Sequence, residues 1–165
     1  MATLTSRLFI VRHAVAEDVA PDGDDRSRRL TGKGRRRFAR LVRRLAHAGV
    51  EIDVIATSPL VRTRETAQIL AAGLPGSPTV QVVEALAPGA DWERLVEWTV
   101  GRDAASVAWV GHAPCVGRLV ATSIGDESAA IRMEKGAVAS ISFADGLGHP
   151  GELEWLIVPD LFRRR

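Results

Sequence analysis

One cysteine, Cys115, is all that the 165-residue chain contains. A lone cysteine excludes an intrachain disulfide framework and suits a reducing compartment. Long apolar runs are missing as well, so no stretch is long enough to span a membrane. The opening segment MATLTSRLFIVRHA lacks a signal-peptide core, because Arg12 and His13 interrupt the apolar run after four residues. A cytoplasmic protein without a membrane partner is expected.

Several catalytic signatures are absent on counting. A cysteine-phosphatase loop needs an arginine six positions after its cysteine, and from Cys115 that position is Ala121. The pair Gly32-Lys33 has no glycine four residues before it and is followed by Gly34 rather than Ser or Thr, which rules out a P-loop. Four histidines occur with no HxxxH or HExxH spacing and no paired cysteines, so neither a metal nor another cofactor is expected. Cys115 reads as a small buried residue rather than a nucleophile.

What is present is ordinary globular material, 46% hydrophobic and 25% charged, enough for one domain over residues 1–165 with a sizeable core. The net charge of +2 and pI near 9.3 are carried almost wholly by arginine. Much of it lies in KGRRRFARLVRRLAHAG, residues 33–49. There Phe38, Leu41, Val42 and Leu45 make a buried helical stripe, while Arg35, Arg36, Arg37, Arg40, Arg43 and Arg44 occupy most of the remaining surface. With no nucleic-acid motif alongside, this reads as a solvated amphipathic helix rather than a nucleic-acid or acidic-partner surface, and no nucleic-acid partner is expected.

Strand-like runs at Leu8–Val11, Asp53–Ala56, Thr79–Val83, Ser106–Val110, Ala137–Phe143 and Leu153–Val158 alternate with helical stretches near 32–48, 59–72, 91–99 and 114–123. The alternation predicts an α/β fold: three layers, a mainly parallel sheet with helices on both faces, and an antiparallel C-terminal edge. That edge comes from the last two runs, whose Gly-rich connection 144–152 is too short for a helical crossover. Disorder is expected only in the first few residues and at 163–165. Nothing in the pattern specifies an oligomeric state.

Polar residues gather where strands give way to helices. Arg12-His13 ends the first run, where a turn residue is usual. In ATSPLVRTRETAQIL, residues 56–70, Ser58 reads as an N-cap, Pro59 as the first helical residue, and Arg62 falls in the opening turns. A cation at the positive end of a helix dipole makes sense if both face an anion; pairing with Glu65 or plain exposure is the other reading. In VAWVGHAPCVGRLV, residues 107–120, His112 again follows a strand. Ligands bind at the carboxyl ends of strands in open α/β sheets, so Arg12, His13, Arg62 and His112 are expected around one small dianion. Asp18, Asp22, Asp24 and Asp25 read as solvated.

With these residues in place, the chain resembles the histidine phosphatase superfamily, the phosphoglycerate-mutase-like fold. "VRHA" at 11–14 resembles its Arg-His-Gly signature, "SPLVRTRETA" at 58–67 its Ser-Pro-x-x-Arg-x-x-x-Thr-Ala stretch, and "VGHAP" at 110–114 its second histidine motif. The short chain, "LTGKG" at 30–34 and "LAPGAD" at 86–91 are most similar to the SixA-like subgroup, associated with protein phosphohistidine phosphatase activity. The resemblance implies His13 as a nucleophile that is transiently phosphorylated, with Arg12, Arg62 and His112 binding the phosphoryl oxygens. It implies no metal and no cofactor. Two positions depart from the family pattern. Ala14 replaces the signature glycine, which is expected to be harmless if that position has no positive φ. Pro88 stands where other branches place a proton-donating Glu, leaving Glu84 and Asp91 as the nearest candidate general acids.

The resulting expectation is a metal-independent phosphatase acting through a phosphohistidine intermediate on phosphohistidine in proteins. A phosphatase of small cytosolic phosphomonoesters and a non-catalytic phospho-ligand or protein-interaction module are the alternatives.

Overall fold

The computed structural model describes residues 4–162. The disorder expected at the first few residues and at 163–165 lies outside them. Six strands form one sheet: β1 (Arg7–Arg12), β2 (Val54–Thr57), β3 (Thr79–Val82), β4 (Ser106–Gly111), β5 (Val138–Ser142) and β6 (Glu152–Ile157), in the order β3-β2-β4-β1-β5-β6. The first four strands in that order are parallel, whereas β5 runs antiparallel to β1 and β6 antiparallel to β5. The expected mainly parallel sheet with an antiparallel C-terminal edge is what forms.

The apolar runs are continuous because both faces of the central strands are covered. In β1, Leu8 and Ile10 join one core with Trp109 of β4. Phe9 and Val11 join the other with Ala108 and Val110. Helices α3 (Trp92–Val100) and α4 (Cys115–Ser123) close the first core through Leu95, Val116, Leu119 and Val120. Helices α1 (Gly32–His47) and α2 (Val61–Gly73) close the second through Phe38, Leu41, Val42, Leu45, Ala67 and Leu70. Each central strand therefore divides its side chains between two cores at the two-residue period of a pleat.

One helix start differs from expectation. Helix α2 begins at Val61 with Leu60 as its N-cap residue and no side-chain cap, not at Pro59 behind a capping Ser58. The Ser58 hydroxyl accepts from Leu60 N (3.4 Å) and also meets a tertiary partner described below.

Candidate active site

Strands β2, β4 and β1 are successive neighbours in the sheet, so their carboxyl ends lie side by side, about 5 Å from one to the next. The ladder extends just past each end and pins the residues that follow. His13 N donates to Gly111 O (3.1 Å), and Ser58 N donates to Val110 O (3.1 Å). Beyond His13 the chain is tied to α2: Ala14 N donates to Thr66 Oγ1 (3.0 Å), and that hydroxyl donates to Arg62 O (2.7 Å). Helix α1 closes over the same turn. Its Gly34 packs so tightly that a Cβ there would stand 2.2 Å from Val15 O, which accounts for glycine at this point of "LTGKG". Among the described residues Ser77 is the one non-glycine at positive φ, so Ala14 carries no strain from replacing a glycine.

The two histidines meet at this edge with ring centroids 5.4 Å apart. Both are buried, His13 6% and His112 4% exposed, and Arg62 is buried to the same degree at 6%. His13 Nδ1 lies 2.8 Å from Ala14 O. A carbonyl only accepts, so Nδ1 carries the proton and the neutral ring presents its lone pair at Nε2. His112 Nε2 lies 2.8 Å from Ser58 Oγ, the tertiary contact of that hydroxyl.

The guanidinium groups are held from outside the pocket. Arg12 Nη1 donates to Met133 O (2.9 Å). Arg62 Nη1 donates to Asp25 O (2.7 Å) and Nη2 to Asp25 Oδ2 (3.0 Å). Asp25, read from sequence as solvated, is thus a partner of Arg62, presented by a short 3₁₀ turn at Asp25–Ser27. Arg62 neither pairs with Glu65 nor lies on the surface; Glu65 instead accepts from Leu30 N and pairs with Arg35.

Hydrogen-bonding capacity left over inside the fold points to one place. Among the described residues four buried side-chain polar atoms have no partner, and three of them are Arg12 Nε, Arg62 Nε and His112 Nδ1. A buried donor without an acceptor costs about 1–3 kcal/mol. Three of the four thus stand at one edge of the sheet, where hydrogen-bonding capacity is left unspent. The described residues contain no group of three or more His, Cys, Asp or Glu side chains able to hold a metal ion. The positive charge of the cluster is that of Arg12 and Arg62.

Two further candidates make no hydrogen bond or ion pair with this cluster among the described residues. Glu84 is exposed at the start of a 3₁₀ turn. Asp91 caps α3, accepting from Arg94 N (3.1 Å) and pairing with Arg94 Nε (3.5 Å). Neither is among the charges that act on His13 or His112. Cys115 is half-buried, and its Sγ accepts from Gly89 N at 3.3 Å. Sequence reasoning missed Ser58 as a histidine partner, Thr66 as a tie and Asp25 as an arginine partner. The Ser and Thr of "SPLVRTRETA" were the signal for the first two.

Burial first, then the neighbouring cations, push the histidine pKa values down, to about 3 for His13 and about 4 for His112. Both rings are neutral at pH 7, as a nucleophilic imidazole must be. Between the ordinary value of 6.5 and these lowered values, the unfolded chain binds protons that the folded chain refuses. Stability therefore falls as pH drops through that window, by up to about 1.4 kcal/mol per pH unit for each histidine. Denaturant titrations from pH 7 to pH 4 are expected to show this decline, and the paired substitution His13→Gln, His112→Gln is expected to flatten it.

Residues 8–114 match the profile of the histidine phosphatase superfamily (branch 1). An uncharacterised protein of a Picosynechococcus species is 37% identical over 139 residues, covering 81% of this chain and 83% of that protein. The structure of the protein histidine phosphatase SixA complexed with tungstate superposes with a TM-score of 0.83 at 25% identity, over 95% of this chain and 99% of that one. A structure from Agrobacterium tumefaciens, assigned as a SixA phosphohistidine phosphatase, shares the fold with a TM-score of 0.78 at 21% identity, over 95% and 100% of the two chains. No helix among the described residues is long and apolar enough to cross a membrane. The matched motifs, the shared fold and the paired histidines at its strand ends agree: the chain belongs to the histidine phosphatase superfamily, branch 1.

Proposed function

We propose that this protein is a metal-independent phosphatase that works through a phosphohistidine formed on His13, and that its substrates are phosphohistidine residues of proteins in the cytoplasm. Membership of the superfamily supports phosphatase activity on phosphorylated substrates. The observation that carries the mechanism is the set of three unpartnered buried polar atoms, two of them arginine donors, beside a neutral His13.

In this reading the phosphoryl group of the substrate sits between Arg12 and Arg62, with His112 adding a further donor. His13 Nε2 attacks phosphorus while the leaving nitrogen departs on the opposite side. A new P–N bond to His13 forms as the bond to the substrate ring breaks; that ring carries a proton on its other nitrogen and so leaves as neutral imidazole. Water then attacks the phosphoenzyme, releases inorganic phosphate and restores neutral His13. The transferring group spreads negative charge over three equatorial oxygens, so fixed cations lower the barrier electrostatically. Arginine suits the task because its planar fork meets two oxygens at once. Tungstate, present in the similar SixA structure, is likewise a tetrahedral oxyanion.

The leaving group favours phosphohistidine over small phosphomonoesters. No carboxylate belongs to the cluster as a proton donor: Glu84 is exposed and Asp91 is engaged with Arg94. Asp25 is held ionised, first by its hydrogen bond to Arg28 and also by Arg62. The test is to expose the protein briefly to phosphoramidate and quench it in alkali, where phosphohistidine survives. Label on His13 is expected; an unlabelled but phosphate-binding protein would support the non-catalytic module instead.

A further inference from the structure

Helix α1 is not an ordinary solvated helix. Its sixteen residues contain no acidic side chain, and its outer face stacks like charges one turn apart, as in Lys33 with Arg37 and Arg36 with Arg40. Such pairs destabilise a helix by roughly 0.2–0.5 kcal/mol each. Solvated faces usually interleave both signs. Two of the arginines find acids elsewhere in the fold, Arg35 on Glu65 and Arg37 on Asp160. Lys33, Arg36, Arg40 and Arg43 have no ion-pair partner among the described residues.

This face reaches Arg12 of the candidate site. A groove of about 310 Å³ starts at Arg12 and runs between Arg132, Lys135 and Arg37. Its two acids are already engaged, Glu134 by Arg132 (3.0 Å) and Asp160 by Arg37. Arg37 also lines the next groove, whose other walls are Lys33, Arg36 and Arg40. Arg40 then lines a third, with Arg43, Arg44 and His47. The shared residues make one basic track from Arg12 along the whole of α1, which at 1.5 Å per residue is about 24 Å.

We propose that this track docks an acidic stretch of the phosphoprotein substrate next to its phosphorylated residue. The inference rests on the phosphatase reading above and names the partner that reading requires. A substrate bound this way supplies the negative charge that α1 lacks, and long-range attraction raises its rate of encounter. An extended strand covers the track in about seven residues. A nucleic acid fits less well, because among the described residues no Phe, Tyr or Trp lines any of the three grooves to stack a base.

The test compares two phosphohistidine peptides, one flanked on each side by about eight glutamates and one by as many lysines, enough to cover the track. The Glu-flanked peptide is expected to show a kcat/KM about ten-fold or more above the other at low salt, with the gap closing as salt is raised. The triple variant Arg36→Glu, Arg40→Glu, Arg43→Glu is expected to erase that advantage while hydrolysing p-nitrophenyl phosphate as the wild type does. Equal kcat/KM for the two peptides, or an advantage that survives in the variant, overturns the docking proposal and leaves the phosphatase intact. Binding of a mixed-sequence single-stranded RNA that the variant loses, with the peptides equal, overturns it in favour of nucleic acid. A wild-type protein that turns over neither peptide nor p-nitrophenyl phosphate would instead remove the phosphatase reading itself.

Discussion

Replacing His13 by alanine is expected to lower turnover on the order of 10⁶-fold, the size of loss seen when a covalent enzyme is stripped of its nucleophile. No other group nearby can inherit the task. His112 has its Nε2 engaged with Ser58, and its Nδ1 is buried. The fold should survive the change, since His13 lies past the end of β1 and belongs to neither apolar core. Removing a buried imidazole whose pKa is pushed down to about 3 also removes part of the acid sensitivity. The measurements are steady-state turnover of a phosphohistidine peptide, phosphoenzyme trapping, and a melt at pH 7. A folded His13→Ala protein with near-normal turnover would remove His13 from the nucleophile role.

A large dependence on the leaving group is the second expectation. A positioned general acid is worth about 10²–10⁴ in rate when an alkoxide has to leave. Pro88 carries no proton, Glu84 is exposed, and Asp91 spends its carboxylate on the N-terminus of α3. Imidazole and aryl oxides leave with far less help than alkoxides. Along a series of phosphate esters graded by leaving-group pKa, kcat/KM should therefore fall steeply, by about 10²–10⁴ from activated aryl to sugar or glycerate phosphates. Phosphohistidine should sit with the fast group. A flat series would mean that Glu84, Asp91 or another carboxylate delivers the proton, and efficient alkyl-phosphate turnover would favour the small-metabolite alternative.

The strands and helices were legible because their apolar spacing is dictated by burial on both faces of the sheet. Phe9 and Val11 had to face one layer and Leu8 and Ile10 the other, so the run at 8–11 could be read without knowing its partners. The four polar residues were legible as interruptions of that pattern, each following a strand or sitting in the next helix. Ser58 was misread because its local signal as an N-cap competes with His112, a residue 54 positions away. Asp25 was misread for the same reason, since its partner Arg62 lies 37 positions on. The carbonyl of Met133 that holds Arg12 was invisible, because any residue has a carbonyl and only the fold decides which one arrives.

The contact between Asp25 and Arg62 bears on how such a protein could change its substrates over time. Loop segments beside a pocket are the usual place for new specificity, because they tolerate substitution and insertion. Here the 17–30 segment is not independent of the chemistry. Through Asp25 it grips two of the guanidinium nitrogens of Arg62, and through Leu30 it is tied to Glu65 on the same helix. A lineage that rebuilt this segment to admit a different substrate would also shift Arg62, the arginine proposed to meet the phosphoryl group. In the proposed reading substrate range and rate are thereby linked through one residue, Asp25, and the path of least resistance to new specificity runs instead through the 86–92 loop, which touches no residue of the cluster by hydrogen bond or ion pair among the described residues.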